Sequence, residues 1–215
     1  MKKTFIGILI LLFLVQACAS PTPIPTTQPV PTESPVSVTE TPVEEDTASR
    51  LERSGGYPCP DSDFTCININ VPLNHFDPQD ARTMDVVFAV LPATGERKGM
   101  FVTVIGGPGG SGLLSADNYT SYFDPRITEN FDVVFFDQRG INQSGGLFCT
   151  QATADYYRSD TDATTPEGEG HLLDVTNTFV DDCISEIGKT DLLPFLDTAQ
   201  AVEDLEVFRS FMGDE

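Results

Sequence analysis

Met100-Phe-Val-Thr-Val-Ile105, followed directly by Gly106-Gly107-Pro108-Gly109-Gly110-Ser111-Gly112, is the stretch on which the fold turns. The first six residues are nearly all apolar and uncharged, as expected of a strand buried on both faces. The next seven let the backbone turn sharply and expose N–H groups with no Cβ in the way. Such a loop can cradle a phosphate, offer an N–H to a developing oxyanion, or serve only as a tight turn. A phosphate loop of the GxxxxGK[ST] kind is excluded, because its lysine is missing. Gly107, Gly109 and Gly112 do satisfy GxGxxG, and Asp137 ends the next strand, so a dinucleotide fold has to be weighed. That motif should open a helix with an apolar face, whereas the residues after Gly112 are polar and poorly periodic.

Working outward, Phe131–Phe136 is a second buried strand, ending in the turn Asp137-Gln138-Arg139-Gly140. Upstream, Phe64–Val71 alternates at Ile67, Ile69 and Val71, and Met84–Leu91 is strand-like, so the two predict an antiparallel hairpin across Pro72–Arg82. Ser111–Phe123 reads as part loop, part short helix, and a helix is expected near Leu172–Ile187. Asp197–Met212 is amphipathic, with Ala199, Val202, Leu205, Phe208 and Met212 at three- and four-residue steps. Asp197 or Thr198 caps it, and Gly213 suits its end. The pattern predicts an α/β fold with a mixed, mostly parallel sheet. Four strands and a last helix amount to about half of a doubly wound domain, so the sheet is expected to be incomplete.

The first residues read as an export signal. Met1-Lys2-Lys3 is basic and Phe5–Val15 is an apolar run, short for a membrane span. Val15-Gln16-Ala17-Cys18 resembles the bacterial lipobox, which makes Cys18 the expected lipidation site and residues 1–18 the signal peptide. Residues 19–54 form a Pro/Thr-rich linker, holding seven of the sixteen prolines, and favour extended polyproline II over a core. At about 3.1 Å per residue, such a spacer reaches up to roughly 100 Å. The folded domain is expected over 55–215. The reading is of an exported protein, lipid-anchored to the outer face of a bacterial membrane. Asn118-Tyr-Thr120 and Asn142-Gln-Ser144 match glycosylation sequons, which in a bacterial protein are chance.

The net charge of −21 disfavours nucleic-acid binding, since an acidic surface repels phosphates. With Cys18 assigned to lipid, Cys59, Cys66, Cys149 and Cys183 remain, an even number in an exported chain. Of the three possible pairings, the sequence-local one, Cys59–Cys66 and Cys149–Cys183, is favoured. A zinc site competes with it, but no CxxC spacing exists and only His75 and His171 could assist, so no metal is expected.

The glycine loop, followed some thirty residues later by Val133-Val-Phe-Phe-Asp-Gln-Arg139-Gly140 and Ser144, resembles the α/β-hydrolases of the prolyl iminopeptidase and tripeptidyl aminopeptidase type. Cys59…Cys66 ahead of Val71-Pro-Leu-Asn74 is similar to that family's exported branch, as are Cys149 with Cys183 and Asp197-Thr198 with Asp204-Leu205. The resemblance covers residues 57–215 and implies the N-terminal half of an α/β-hydrolase fold. It implies that Gly107 donates a backbone N–H to an oxyanion, with Gly106 close behind. Pro108, Gly109, Asp137 and Arg139 shape the site, Arg139 pairing with Asp137 or another carboxylate, and Ser144 caps the segment after it. Ile105 stands where prolyl iminopeptidases carry His, which tilts the likeness toward the tripeptidyl aminopeptidase branch.

This chemistry needs a serine on a GxSxG elbow, then an acid, then a histidine. No such elbow occurs in the sequence, and His75 and His171 lie ahead of where the nucleophile is expected, as ordinary surface residues. The expectation is therefore an aminopeptidase-like serine hydrolase, working without a cofactor on a peptide or small-molecule substrate, whose chain here is inactive alone. An esterase on the same fold and a non-catalytic ligand-binding lipoprotein are the alternatives.

Overall fold

The computed structural model describes residues 46–107 and 109–214. Cys18, the signal segment, most of the expected linker and Pro108 lie outside them. In chain order the elements are α1 (Thr47–Arg53), β1 (Tyr57–Pro58), β2 (Thr65–Pro72), β3 (Thr83–Leu91), β4 (Met100–Thr103), a 3-10 turn (Leu113–Ser115), α2 (Ala116–Thr120), α3 (Pro125–Asn130), β5 (Asp132–Phe136), α4 (Thr150–Arg158), α5 (Pro166–Ile187), a second 3-10 turn (Thr190–Phe195) and α6 (Thr198–Met212).

The strands form one sheet in the order β1-β2-β3-β5-β4. It is mixed, as expected, but it corrects the expectation of a mostly parallel sheet. β1 with β2, β2 with β3 and β3 with β5 are antiparallel, and among the described residues β4 with β5 alone is parallel. The reason is connection length. Short links return the chain antiparallel from β1 to β2 and from β2 to β3, whereas the parallel pair of β4 with β5 needs a long crossover, which the segment between Thr103 and Asp132 supplies. β3 with β5 is antiparallel although its strands are far apart in the chain.

β3 and β5 are buried on both faces, whereas β4, expected to be buried likewise, is an edge strand with Phe101 and Val102 exposed. Val86, Phe88 and Val90 of β3, with Val134 and Phe136 of β5, face a core closed by Leu51 of α1 and by Phe208 and Met212 of α6. The intervening residues Val87, Ala89, Val133 and Phe135 face a second core with Leu113 and Ala116. Phe88 stacks on Phe208 with ring centroids 3.9 Å apart, so the middle of the sheet and α6 share one aromatic contact. Truncating such a ring to Ala typically costs about 3–5 kcal/mol.

The linker expectation is corrected at its end. Residues 47–53 are helical, Asp46 caps α1 by accepting from Ser49 N–H, and Leu51 is 1% exposed. Thr47 Oγ1 donates to Asp132 Oδ2 at 2.7 Å, and Arg50 Nη1 donates to the Phe211 carbonyl. A helix of under two turns, held by one leucine and these polar contacts, leaves no periodicity to read.

Both disulfides form as expected, Cys59–Cys66 between β1 and β2, and Cys149–Cys183 between the start of α4 and α5. These four sulfurs are therefore not thiolate ligands for zinc. α5 starts at Pro166, earlier than its apolar pattern shows, because Thr165 caps it and Pro166 fits the first turn.

Candidate functional site

The parallel pairing of β4 with β5 brings two loops to the same end of the sheet. Thr103 lies in register with Phe135, so the chain leaves β4 through Ile105-Gly106-Gly107 beside the point where it leaves β5 through Asp137-Gln138. Crevices at the carboxyl ends of parallel strands are where α/β sheets bind ligands. Here Gly106, Gly107, Gly109, Gln138, Arg139 and Gly140 line one cleft of about 690 Å³. Of the site residues read from the sequence, Gly106, Gly107, Gly109 and Arg139 line this cleft, Asp137 is buried and does not, and Pro108 is outside the described residues.

Asp137 and Arg139 reach this end in separate networks. Asp137 is fully buried and accepts from Ser111 Oγ at 2.6 Å, Leu113 N–H at 3.3 Å, Asn142 Nδ2 at 2.9 Å and Gln143 N–H at 3.1 Å. The carboxylate therefore ties the far end of the glycine loop to the turn after β5. Gln138 ties the near end, donating from Nε2 to the Ile105 carbonyl at 3.1 Å. Between these two ties, Gly106 and Gly107 are exposed. Gly112 permits the close approach, since a Cβ there would overlap the Phe136 carbonyl.

Of the two partners left open for Arg139, the structure selects a carboxylate other than Asp137. The guanidinium meets Asp204 of α6, Nε donating to Oδ2 at 2.8 Å and Nη2 to Oδ1. Its remaining donors go to the carbonyls of Leu73, Phe195 and Pro72. His75 corrects its reading as a surface residue. Its side chain is 8% exposed, and Nε2 lies 2.7 Å from Asp204 Oδ1. Its backbone N–H donates to Gln200 Oε1, whose amide in turn donates to Asn74. Ser144 also differs from expectation. Its hydroxyl donates to the Asp137 carbonyl at 2.6 Å and accepts from Val87 N–H at 2.9 Å, joining the turn to the middle of β3 rather than capping a helix. His171 is exposed on α5, away from this network.

Ser111, Asn142 and Gln138 were not singled out from the sequence as site residues. Asn142 carries a faint signal, lying in a glycine-bearing turn, and adopts φ 37°, a conformation Asn tolerates better than most residues. Chemically, the arrangement ties a turn of exposed glycines at both ends beside a cleft, and N–H groups positioned in this way suit a developing negative charge.

No protein-family model matches the chain. Among curated proteins it is similar to serine protease Hip1 of Mycobacterium tuberculosis, 31% identical over 153 residues, which is 70% of this chain and 29% of that protein. It is 33% identical over 148 residues to carboxylesterase B of the same species, covering 67% of this chain and 28% of that protein. It is 24% identical over 157 residues to tripeptidyl aminopeptidase of Streptomyces coelicolor, covering 70% and 28%. The chain therefore spans under a third of the length of these relatives. The similarities support a serine hydrolase family at low identity, and the mixed sheet with flanking helices is compatible with its α/β fold.

Proposed function

We propose that this chain supplies the oxyanion side of an exported serine hydrolase acting by acyl transfer, with Gly107 as the N–H donor and Gly106 beside it. The observation that carries the reading is the exposed Gly106-Gly107 turn at the carboxyl end of β4, fixed from both sides by Asp137 and Gln138. Pro108, Gly109 and Arg139 shape the same site. Cleavage of short peptides or single residues from peptide N-termini is the favoured activity, because one relative is named a tripeptidyl aminopeptidase and another a serine protease. Ester hydrolysis is the second reading, favoured by the relative named carboxylesterase B. The two disulfides support export, and the lipobox at Val15–Cys18 supports a lipid anchor at Cys18.

The reaction needs a serine on a GxSxG elbow, an acid and a histidine, and no such elbow occurs in these 215 residues. Residues 1–215 alone are therefore inactive. The test is labelling with a fluorophosphonate, together with turnover of aminoacyl-arylamides and p-nitrophenyl esters. It is run on this chain and on the product of the same reading frame carried past codon 215. Specific labelling of the 215-residue chain would overturn its inactivity. A longer product with no labelled serine would overturn the hydrolase reading.

A further inference from the structure

The cleft beside the glycine loop has an apolar side that the oxyanion role does not use. Ile105, Ile141, Leu147 and Leu196 line it, together with Gly140. Its polar side chains are already engaged. The Gln138 amide is spent on the Ile105 carbonyl. The Arg139 guanidinium is neutralised by Asp204, and its other N–H groups go to the carbonyls of Leu73, Phe195 and Pro72. No charged side chain among the lining residues is left to meet a charge on a ligand. An ionised group seated there would lose its hydration without gaining a partner.

The wall is also fixed in position. Leu196 sits between the second 3-10 turn and the cap residue Asp197 of α6. Arg139 holds the residue before it, through Nη1 and the Phe195 carbonyl at 3.0 Å. Gly140 has φ 80°, and a Cβ added there would meet the Leu196 methyls at 3.0 and 3.1 Å. The missing side chain at position 140 is what lets Leu196 close over the turn.

We propose that Ile105, Ile141, Leu147 and Leu196 form a specificity subsite for an uncharged aliphatic group, the side chain or acyl portion adjoining the carbonyl held at Gly106–Gly107. This deepens the proposed function and rests on it for the place of the carbonyl. It also separates two consequences of charge. The −21 net charge draws cations to the protein as a whole, whereas this subsite discriminates against them.

The test is photo-crosslinking of the full chain with N-acetyl photo-leucine amide, whose aliphatic side chain carries a diazirine, and mapping of the labelled peptides by mass spectrometry. Label is expected on the peptides bearing Ile141, Leu147 and Leu196. N-acetyl-leucinamide should compete at concentrations at least about tenfold lower than N-acetyl-lysinamide or the α-amide of N-acetyl-glutamate. Leu196→Asp should cut the labelling about fivefold or more. Label scattered over the surface, equal competition by the charged amides, or no site-selective label in the unaltered chain each overturn the subsite. Equal labelling by a probe with the same side chain but no carboxamide supports the subsite and removes the carbonyl from its account, so the two readings fail separately.

Discussion

Arg139 and Asp204, 65 residues apart in the chain, meet in a bidentate ion pair whose side chains are 1% and 0% exposed. The pair locks the turn after β5 to α6, and His75 completes it from the loop after β2. A buried pair of this kind resists loss of one partner far more than loss of both. Asp204→Asn or Arg139→Met is expected to lower unfolding free energy by about 3–5 kcal/mol. Arg139→Met combined with Asp204→Asn should cost less than the two single losses summed. Urea denaturation followed by circular dichroism measures all three. Strictly additive losses would contradict a coupled pair.

Asp137 is a different kind of buried carboxylate. Its four described partners are hydroxyl, amide and backbone N–H donors, with no cation among them. Asn at this position keeps the shape but turns an amide donor toward groups that donate already. Leaving such groups unsatisfied costs about 1–3 kcal/mol each. Asp137→Asn should therefore speed hydrogen exchange in 104–116 and 138–146 while leaving 86–90 protected. Uniform loss of protection across the sheet would mean that Asp137 supports the whole fold rather than the loop.

How much of this was legible depended on the range of the interactions. β3 and β5 could be read because every residue of Val86–Val90 and Asp132–Phe136 is buried, which leaves an unbroken apolar run apart from Asp132. α6 could be read because its cap Asp197 and end Gly213 are local signals. The convergence of Gly106, Gly107 and Gly109 with Gln138 and Arg139 followed from two glycine turns ending two strands. Strand direction could not be read, since an apolar run looks alike whether its neighbour is parallel or antiparallel. The partners of Arg139 and His75 were hidden for a related reason. Asp204 is 129 positions from His75, and nothing local distinguishes a buried histidine there from an exposed one.

Glu186 near the end of α5 caps α4 from outside, accepting from Ala152 N–H at 3.1 Å and Gln151 N–H at 3.0 Å. The bond from Ala152, followed by that from Gln151, holds its carboxyl below the usual value of 4.5. A depressed folded-state pKa gives a contribution that is complete above the unfolded value and lost as pH falls through the folded one. Protection of the Gln151 and Ala152 amides, corrected for intrinsic exchange, should thus hold down to pH 4.5 and decline below it. Glu186→Gln should flatten that dependence. An unchanged profile in the variant would remove Glu186 as its source.

The Cys149–Cys183 disulfide closes a loop of 34 residues around the α4–α5 hairpin. In the chain-entropy account a loop of that size is stabilised by about 4 kcal/mol. α5 buries no residue fully, so beside the Glu186 cap and the contact of Tyr156 with Phe179 the disulfide is the main tie within the hairpin. Cys149→Ser with Cys183→Ser should melt α4 and α5 while the sheet persists. Hydrogen exchange rising in 150–187 with no change in 86–90 is the expected record, and loss of both together would show that the hairpin and sheet unfold as one unit.

β4 lies at one margin of the sheet, with β5 on its inner side. Phe101 and Val102 are each 37% exposed and Val104 is 53% exposed, so the margin is apolar as well as open. Such an edge offers a row of backbone donors and acceptors to another strand, and natural edges are blunted by charges, lysine above all. β4 carries no charge between Met100 and Thr103. The purified chain is therefore expected to self-associate at micromolar concentration through this edge. Val102→Lys should shift the sedimentation profile toward monomer by placing a charge where a second strand would pair. The aromatic stack of Phe88 on Phe208 lies in the core closed by α1 and α6, so it should keep the domain folded in the variant. A chain that sediments as a monomer before the substitution, or associates equally after it, would show that β4 is not the surface responsible.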